Sequence, residues 1–152
     1  MLCDGGKPSR TSPQRRDVSS ESTLVIDADL NKRIATELKR RGRTAIALSE
    51  LQLRHAKDPD LLRALAEHFG DAPWVLVTGD DNMPVVHEEV VLEVHATVAT
   101  IDPRRPPEYR DDEDAWGREV AHRWAHVMAN QPPGSVRRYS GNGGRKWTRR
   151  RR

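Results

Sequence analysis

Val75-Leu76-Val77-Thr78-Gly79-Asp80-Asp81-Asn82-Met83-Pro84 changes character abruptly. The aliphatic residues and the threonine suit a strand buried on both faces, and the glycine, the acids and the proline then end it. The same transition occurs upstream in Leu24-Val25-Ile26-Asp27-Ala28-Asp29, and another acidic cluster, His55-Ala56-Lys57-Asp58-Pro59-Asp60, lies between the two. Strands at the carboxyl edge of a parallel sheet stop in this way, and open α/β folds bind ligands at that edge. Carboxylates gathered there repel one another unless a cation sits between them, and hard divalent ions such as magnesium or manganese take oxygen ligands. The expectation is a carboxylate metal site on a small α/β domain.

Working outward, Thr23 to Asp27 is the first predicted strand. A helix follows from about Leu30 to Arg41, with Leu30, Ile34 and Leu38 on one face, Asp29 as N-cap and Gly42 as terminator. Thr44 to Leu48 is a second strand and Ser49 to Lys57 a loop. Asp58 caps a second helix with Pro59 at its first position; Leu61, Leu62, Leu65, Ala66 and Phe69 supply its buried face, and Gly70 ends it. Trp74 to Thr78 is the third strand, Pro84 to Glu93 a short helix, and His95 to Ile101 a fourth strand. Pro103, Pro106 and Pro107 impose an extended linker. The last helix runs from about Asp112 to Met128, with an acidic first turn and an apolar stripe of Trp116, Val120, Trp124 and Val127. This alternation predicts a three-layer α/β domain with a central, mainly parallel sheet of about four strands flanked by helices. Residues 1–22 are expected to be a disordered leader, 23–130 the folded domain, and 131–152 a disordered Arg-rich tail.

Composition narrows the function classes. The chain has 152 residues, 36% hydrophobic and 32% charged, enough for one domain with a modest core. No apolar stretch approaches the ~20 residues of a membrane span, and Met1 to Ser22 lacks the apolar segment of a secretory signal. A lone cysteine, Cys3, excludes an internal disulfide and a cysteine zinc site, and a cytoplasmic location is the simplest reading. The net charge of +3 comes from the tail, where Lys146, Trp147, Arg149 and Arg150 mix cations with an aromatic ring and suit nucleic-acid contact. His122 and His126 share a helical face but have no third ligand, so an exposed or packing role is expected.

In their order and spacing, Val25-Ile26-Asp27, the helix from Leu30 to Gly42, Asp58-Pro59-Asp60-Leu61 and the stretch from Val75 to Pro84 resemble the PIN-like domain family. That family includes the VapC-type ribonuclease toxins of toxin–antitoxin systems. The resemblance covers roughly Leu24 to Ile101, about half the chain. It implies a metal-dependent ribonuclease with Asp27, Asp58, Asp80 and Asp81 at the catalytic site. Asp27, Asp80 and Asp58 would hold magnesium or manganese, with Thr78, Asn82 and Asp60 in support. Such a metal lowers the pKa of bound water and stabilises the leaving oxygen. Many PIN-like domains carry a further mid-domain acid; Glu50 is the nearest residue but does not align, which leaves the number of ions open. The resemblance also implies an RNA substrate, an antitoxin protein and a homodimer.

Other readings compete. Asp29 and Asp58 both stand where an N-cap belongs, a role that contributes ~1 kcal/mol without any metal. Asp27 and Asp80 end their strands directly and have no such explanation. A degenerate PIN-like module would bind RNA or protein without cutting. A haloacid-dehalogenase-type phosphatase would use Asp27 as nucleophile and Asp29 as general acid, but it needs a longer chain and a lysine between the acidic motifs.

Overall fold

The computed structural model describes residues 21–53, 55–102 and 105–140, together with the backbone of residues 143–146. In chain order the elements are β1 (Thr23–Ile26), α1 (Arg33–Arg40), β2 (Ala45–Ala47), α2 (Asp58–Phe69) and β3 (Trp74–Thr78). They continue with α3 (Met83–Val86), α4 (Glu88–Glu93), β4 (Val98–Ile101), α5 (Glu113–Ala129), β5 (Val136–Ser140) and β6 (Gly143–Lys146). Single 3-10 turns occupy Leu48–Leu51 and Pro107–Tyr109.

Successive side chains of a strand point to opposite faces, so a strand apolar throughout needs a layer on each side. Leu24 and Ile26 of β1 join a core cluster with Ile34 and Leu38 of α1 and Trp116, Val120 and Trp124 of α5. Val25, between them, joins the opposite cluster with Leu61, Leu62 and Leu65 of α2, Met83 of α3 and Val90 and Val91 of α4. The domain is therefore a three-layer α/β fold. Fully burying one aliphatic side chain contributes ~1.5–3 kcal/mol; the buried β1 and β3 thus hold their strand ends in place even where like charges meet. Helices α1 and α5 approach closely at Gly117, where a Cβ would stand 3.1 Å from Arg33 Cγ and 3.5 Å from Ile34 Cγ1.

The strand order is β2-β1-β3-β4-β5-β6. Strands β2 to β5 are parallel to their neighbours, and β6 runs antiparallel to β5. The chain steps from β1 to β2 on one side, then crosses to β3 on the other side of β1. Its progress reverses between β1 and β3, and Ile26 pairs in register with Val77 across that boundary. Among the described residues no helix is long and apolar enough to cross a membrane.

Several expectations need correction. Among the described residues the sheet has six strands, not about four, because part of the supposed disordered tail is β5 and β6. Strand β5 pairs along its length with β4, and it buries Val136 and Tyr139 on opposite faces. The fourth strand starts at Val98, since His95 takes a left-handed φ of 54° that ends the preceding helix. The helix expected over Pro84 to Glu93 is divided at His87 into α3 and α4. Asp29 is not an N-cap: α1 starts later, at Arg33, with Lys32 in the cap position. Asp58 is the first residue of α2, and Lys57 occupies the cap. Asp112 does cap α5, accepting from Ala115 N at 3.0 Å. Val127 is 42% exposed, and Met128 takes the buried place expected of it.

Candidate active site

Doubly wound parallel sheets with this strand order bind ligands outside the carboxyl ends of β1 and β3, where the winding reverses. Asp27 follows β1 directly and Thr78 ends β3, so the Ile26–Val77 register sets their side chains beside one another. Thr78 Oγ1 donates to Asp27 Oδ2 at 2.8 Å and lies 3.3 Å from Asp29 Oδ2. The same hydroxyl accepts from Asp80 N at 3.2 Å. One buried threonine thus contacts three acidic residues from two loops.

Backbone donors fix the carboxylates further. Ala28 N donates to Asp27 Oδ1 at 2.6 Å, Gly79 N to Asp29 Oδ1 at 3.2 Å, and Asn82 N to Asp80 Oδ1 at 3.0 Å. Burial raises the Asp29 carboxyl above its usual range, and the negative charge of Asp27 raises it further, against the bonds from Gly79 and Thr78. Asp58, at the start of α2, is raised first by burial and then by Asp27, with Asp80 adding to the effect and His87 opposing it. His87 Nε2 stands 3.7 Å from Asp58 Oδ2. Asp27, Asp29, Asp58 and Asp80 therefore share one electrostatic neighbourhood. Among the described residues none of the four pairs with a lysine or arginine.

The other expected site residues lie apart from this centre. Asp81 turns to β5, where Arg138 binds it at 2.9 Å and Asp102 at 3.2 Å. Asp60 is on the outer surface of α2, 4.0 Å from Arg63. Asn82 is exposed and meets the centre through its backbone N–H. Glu50 accepts from Ala47 N and from Lys39 Nζ, and those bonds lower its pKa, so it braces the turn after β2. His122 and His126 are exposed on α5. Lys146 belongs to β6, of which only the backbone is described, and Trp147, Arg149 and Arg150 lie outside the described residues.

Sequence reasoning favoured a helix cap for Asp29 and gave it an active-site role only in the phosphatase alternative; the signal for it was the Asp-x-Asp spacing after β1, and that for His87 its place shortly after the third acidic cluster. It also missed the Arg138–Asp102 pair, which no local pattern announces. Among the described residues no group of three or more His, Cys, Asp or Glu is arranged to hold a metal ion. The donor chemistry nonetheless suits one: the carboxyls are hard oxygen donors, and burial first, then the neighbouring Asp27 charge, oppose the charged forms of Asp29 and Asp58. No family model matches the chain, and no curated protein or solved structure matches it, so the chemistry of the site rests on these residues alone.

Proposed function

We propose that this chain is a PIN-like, metal-dependent ribonuclease that hydrolyses RNA phosphodiester bonds at the Asp27–Asp29–Asp80 centre. The observation that carries this reading is the meeting of the Asp27 and Asp29 carboxylates at Thr78, whose hydroxyl also accepts from the Asp80 backbone N–H, where the winding reverses, with no lysine or arginine paired to these acids among the described residues. Acids placed together without a cation in this way cost stability, and a site for hard divalent ions accounts for the cost.

Asp27, Asp29 and Asp80 would hold magnesium or manganese, with Asp58 at the rim. Bound there, the ion would supply an activated water and charge relief at the phosphorus. The remaining work belongs to the chain. Thr78 holds the Asp27 rotamer through its 2.8 Å hydrogen bond, and the Gly79 N–H holds Asp29. The Asp58–His87 pair, at 3.7 Å, can hold a proton at the edge of the centre, where a leaving oxygen needs one. A role as the toxin of a toxin–antitoxin pair follows from the family resemblance, as do a basic antitoxin segment entering the acidic centre and a homodimer.

One observation favours a second reading, a PIN-like module that binds RNA or protein without cutting: among the described residues no ready-made metal-ligand set exists. Incubating a mixed RNA pool with purified protein in manganese, magnesium or EDTA, beside Asp27→Asn and Asp80→Asn, separates the two. Metal-dependent cutting that both variants lose supports the nuclease. RNA retained uncut, indifferent to EDTA and to Asp80→Asn, supports the module.

A further inference from the structure

On the α1/α5 side of the acidic centre, the sheet edge opens into a cavity of about 460 Å³. Its inner wall is Ile34, Ile101 and Trp116, and its rim is Asn31, Arg105 and Glu113. Asp29 and Gly79 line it as well and so join it to the centre described above. The volume lies within the range of small-molecule sites, and an apolar wall with a few convergent polar groups is their usual lining.

The rim is organised by one carboxylate. Glu113 accepts from Asn31 Nδ2 at 3.0 Å on one oxygen and from Arg105 at 3.2 Å on the other. Asn31 Oδ1 in turn accepts from Arg33 N at 2.7 Å, and Arg105 reaches the carbonyls of Tyr109 and Arg110 at 3.5 and 3.4 Å. The loop after β1, the loop before α5 and the first turn of α5 are thereby drawn together over the opening. Glu113 is 63% exposed, and an ion pair so exposed adds little to stability. Its position over a cavity is better explained by what the cavity takes. Gly79 keeps the passage to the acidic centre narrow and bare: a Cβ there would stand 3.1 Å from Leu30 Cδ2 and 3.5 Å from Asp29 Oδ2.

We infer that this cavity is a nucleobase subsite, taking the base next to the phosphate held at Asp27, Asp29 and Asp80, with guanine preferred; the inference rests on RNA being the substrate. Guanine offers adjacent N1–H and N2–H donors that fit the rim carboxylate of Glu113, and O6 and N7 acceptors that fit the neighbouring guanidinium of Arg105. Leu30, half-buried at the opening, and the accessible edge of Trp116 meet its apolar faces, with the buried Ile34 and Ile101 behind them. None of adenine, cytosine and uracil offers the adjacent pair of N–H donors.

The test is a binding experiment without catalysis. Isotope-labelled full-length protein in EDTA is titrated with the 5′-monophosphates of guanosine, adenosine, cytidine and uridine, and with inorganic phosphate. The indole N–H of Trp116 is followed by NMR, with that of Trp74, on the opposite face of the sheet, as control. The expected result is a shift of Trp116 that saturates at the lowest concentration with the guanosine nucleotide and leaves Trp74 unmoved. Arg105→Ala and Glu113→Ala should weaken that binding about tenfold, the scale of one charge-assisted hydrogen bond. An equal response to all four nucleotides, a response reproduced by phosphate, or no response at Trp116 overturns the subsite. Because nothing is cut, failure here leaves the nuclease reading intact, and an inactive protein that binds the guanosine nucleotide as expected leaves the subsite intact.

Discussion

The hydroxyl of Thr78 donates to Asp27 Oδ2 at 2.8 Å across the β1–β3 boundary, joining residues 51 positions apart. Both flanking strands are buried, so neither partner can drift from the other. A hydroxyl has one proton to give, and with Asp29 Oδ2 at 3.3 Å the shorter contact takes it. Thr78 therefore orients Asp27 and leaves Asp29 to the Gly79 N–H.

Thr78→Val keeps the shape of the strand and deletes that proton. Metal-dependent RNA cleavage should fall ~10–100-fold, the usual effect of losing a group that orients an acidic ligand. Thermal melting should show the variant folded. Cleavage at the wild-type rate would remove Thr78 from the site.

Asp29 gives a pH prediction with a definite sign. Its folded-state pKa is raised above 3.8, first by burial and then by Asp27, so the folded chain binds that proton more tightly than the unfolded chain. The resulting stabilisation is fully present below 3.8 and is lost as pH rises through the folded value. Asp29→Asn removes the penalty. It should melt slightly above wild type at neutral pH, a small gain because solvent reaches Asp29, and the difference should vanish in acid below 3.8. A variant less stable than wild type at neutral pH would mean that Asp29 is stabilised as the anion.

Metal binding can be read apart from cutting. Manganese at about a hundred times its Kd stabilises the folded state by ~2.7 kcal/mol, or about 10 °C in a domain of this size. Asp27→Asn and Asp80→Asn should each abolish that rise, whereas Asp60→Asn, on the outer surface of α2, should keep it. Differential scanning fluorimetry in EDTA and in manganese measures it. An unchanged wild-type melting temperature would argue for the non-cutting module.

What could be read from the chain depended on whether a residue's role was local. Leu24 to Ile26 and Val75 to Val77 announce buried parallel strands by themselves, and the carboxylates that follow announce the active edge. Asp29 satisfies a local capping rule equally well, and only its distance to Thr78 and Gly79, residues 49 and 50 positions away, shows where its oxygens go. Strand β5 was hidden for a related reason. Val-Arg-Arg-Tyr-Ser has no continuous apolar run, and its place beside β4 depends on partners distant in the chain. Tyr139 enters the core near Trp124 with its hydroxyl 3.0 Å from Gln131 Oε1, while Arg138 finds acids on other strand ends.

Arg138 provides the test of that correction. It stands between Asp81 and Asp102, at 2.9 and 3.2 Å, and all three side chains are at least three-quarters buried. Removing one partner of a buried ion pair leaves the other charge uncompensated. Arg138→Met, of similar length, should therefore cost ~2–3 kcal/mol in urea denaturation, below the full buried-pair value because some water reaches the cluster. If the loss arises from stranded carboxylates, adding Asp81→Asn should recover part of it, since the two sites are in contact and their effects do not add. Losses that simply sum would mean that the guanidinium and Asp81 are energetically independent.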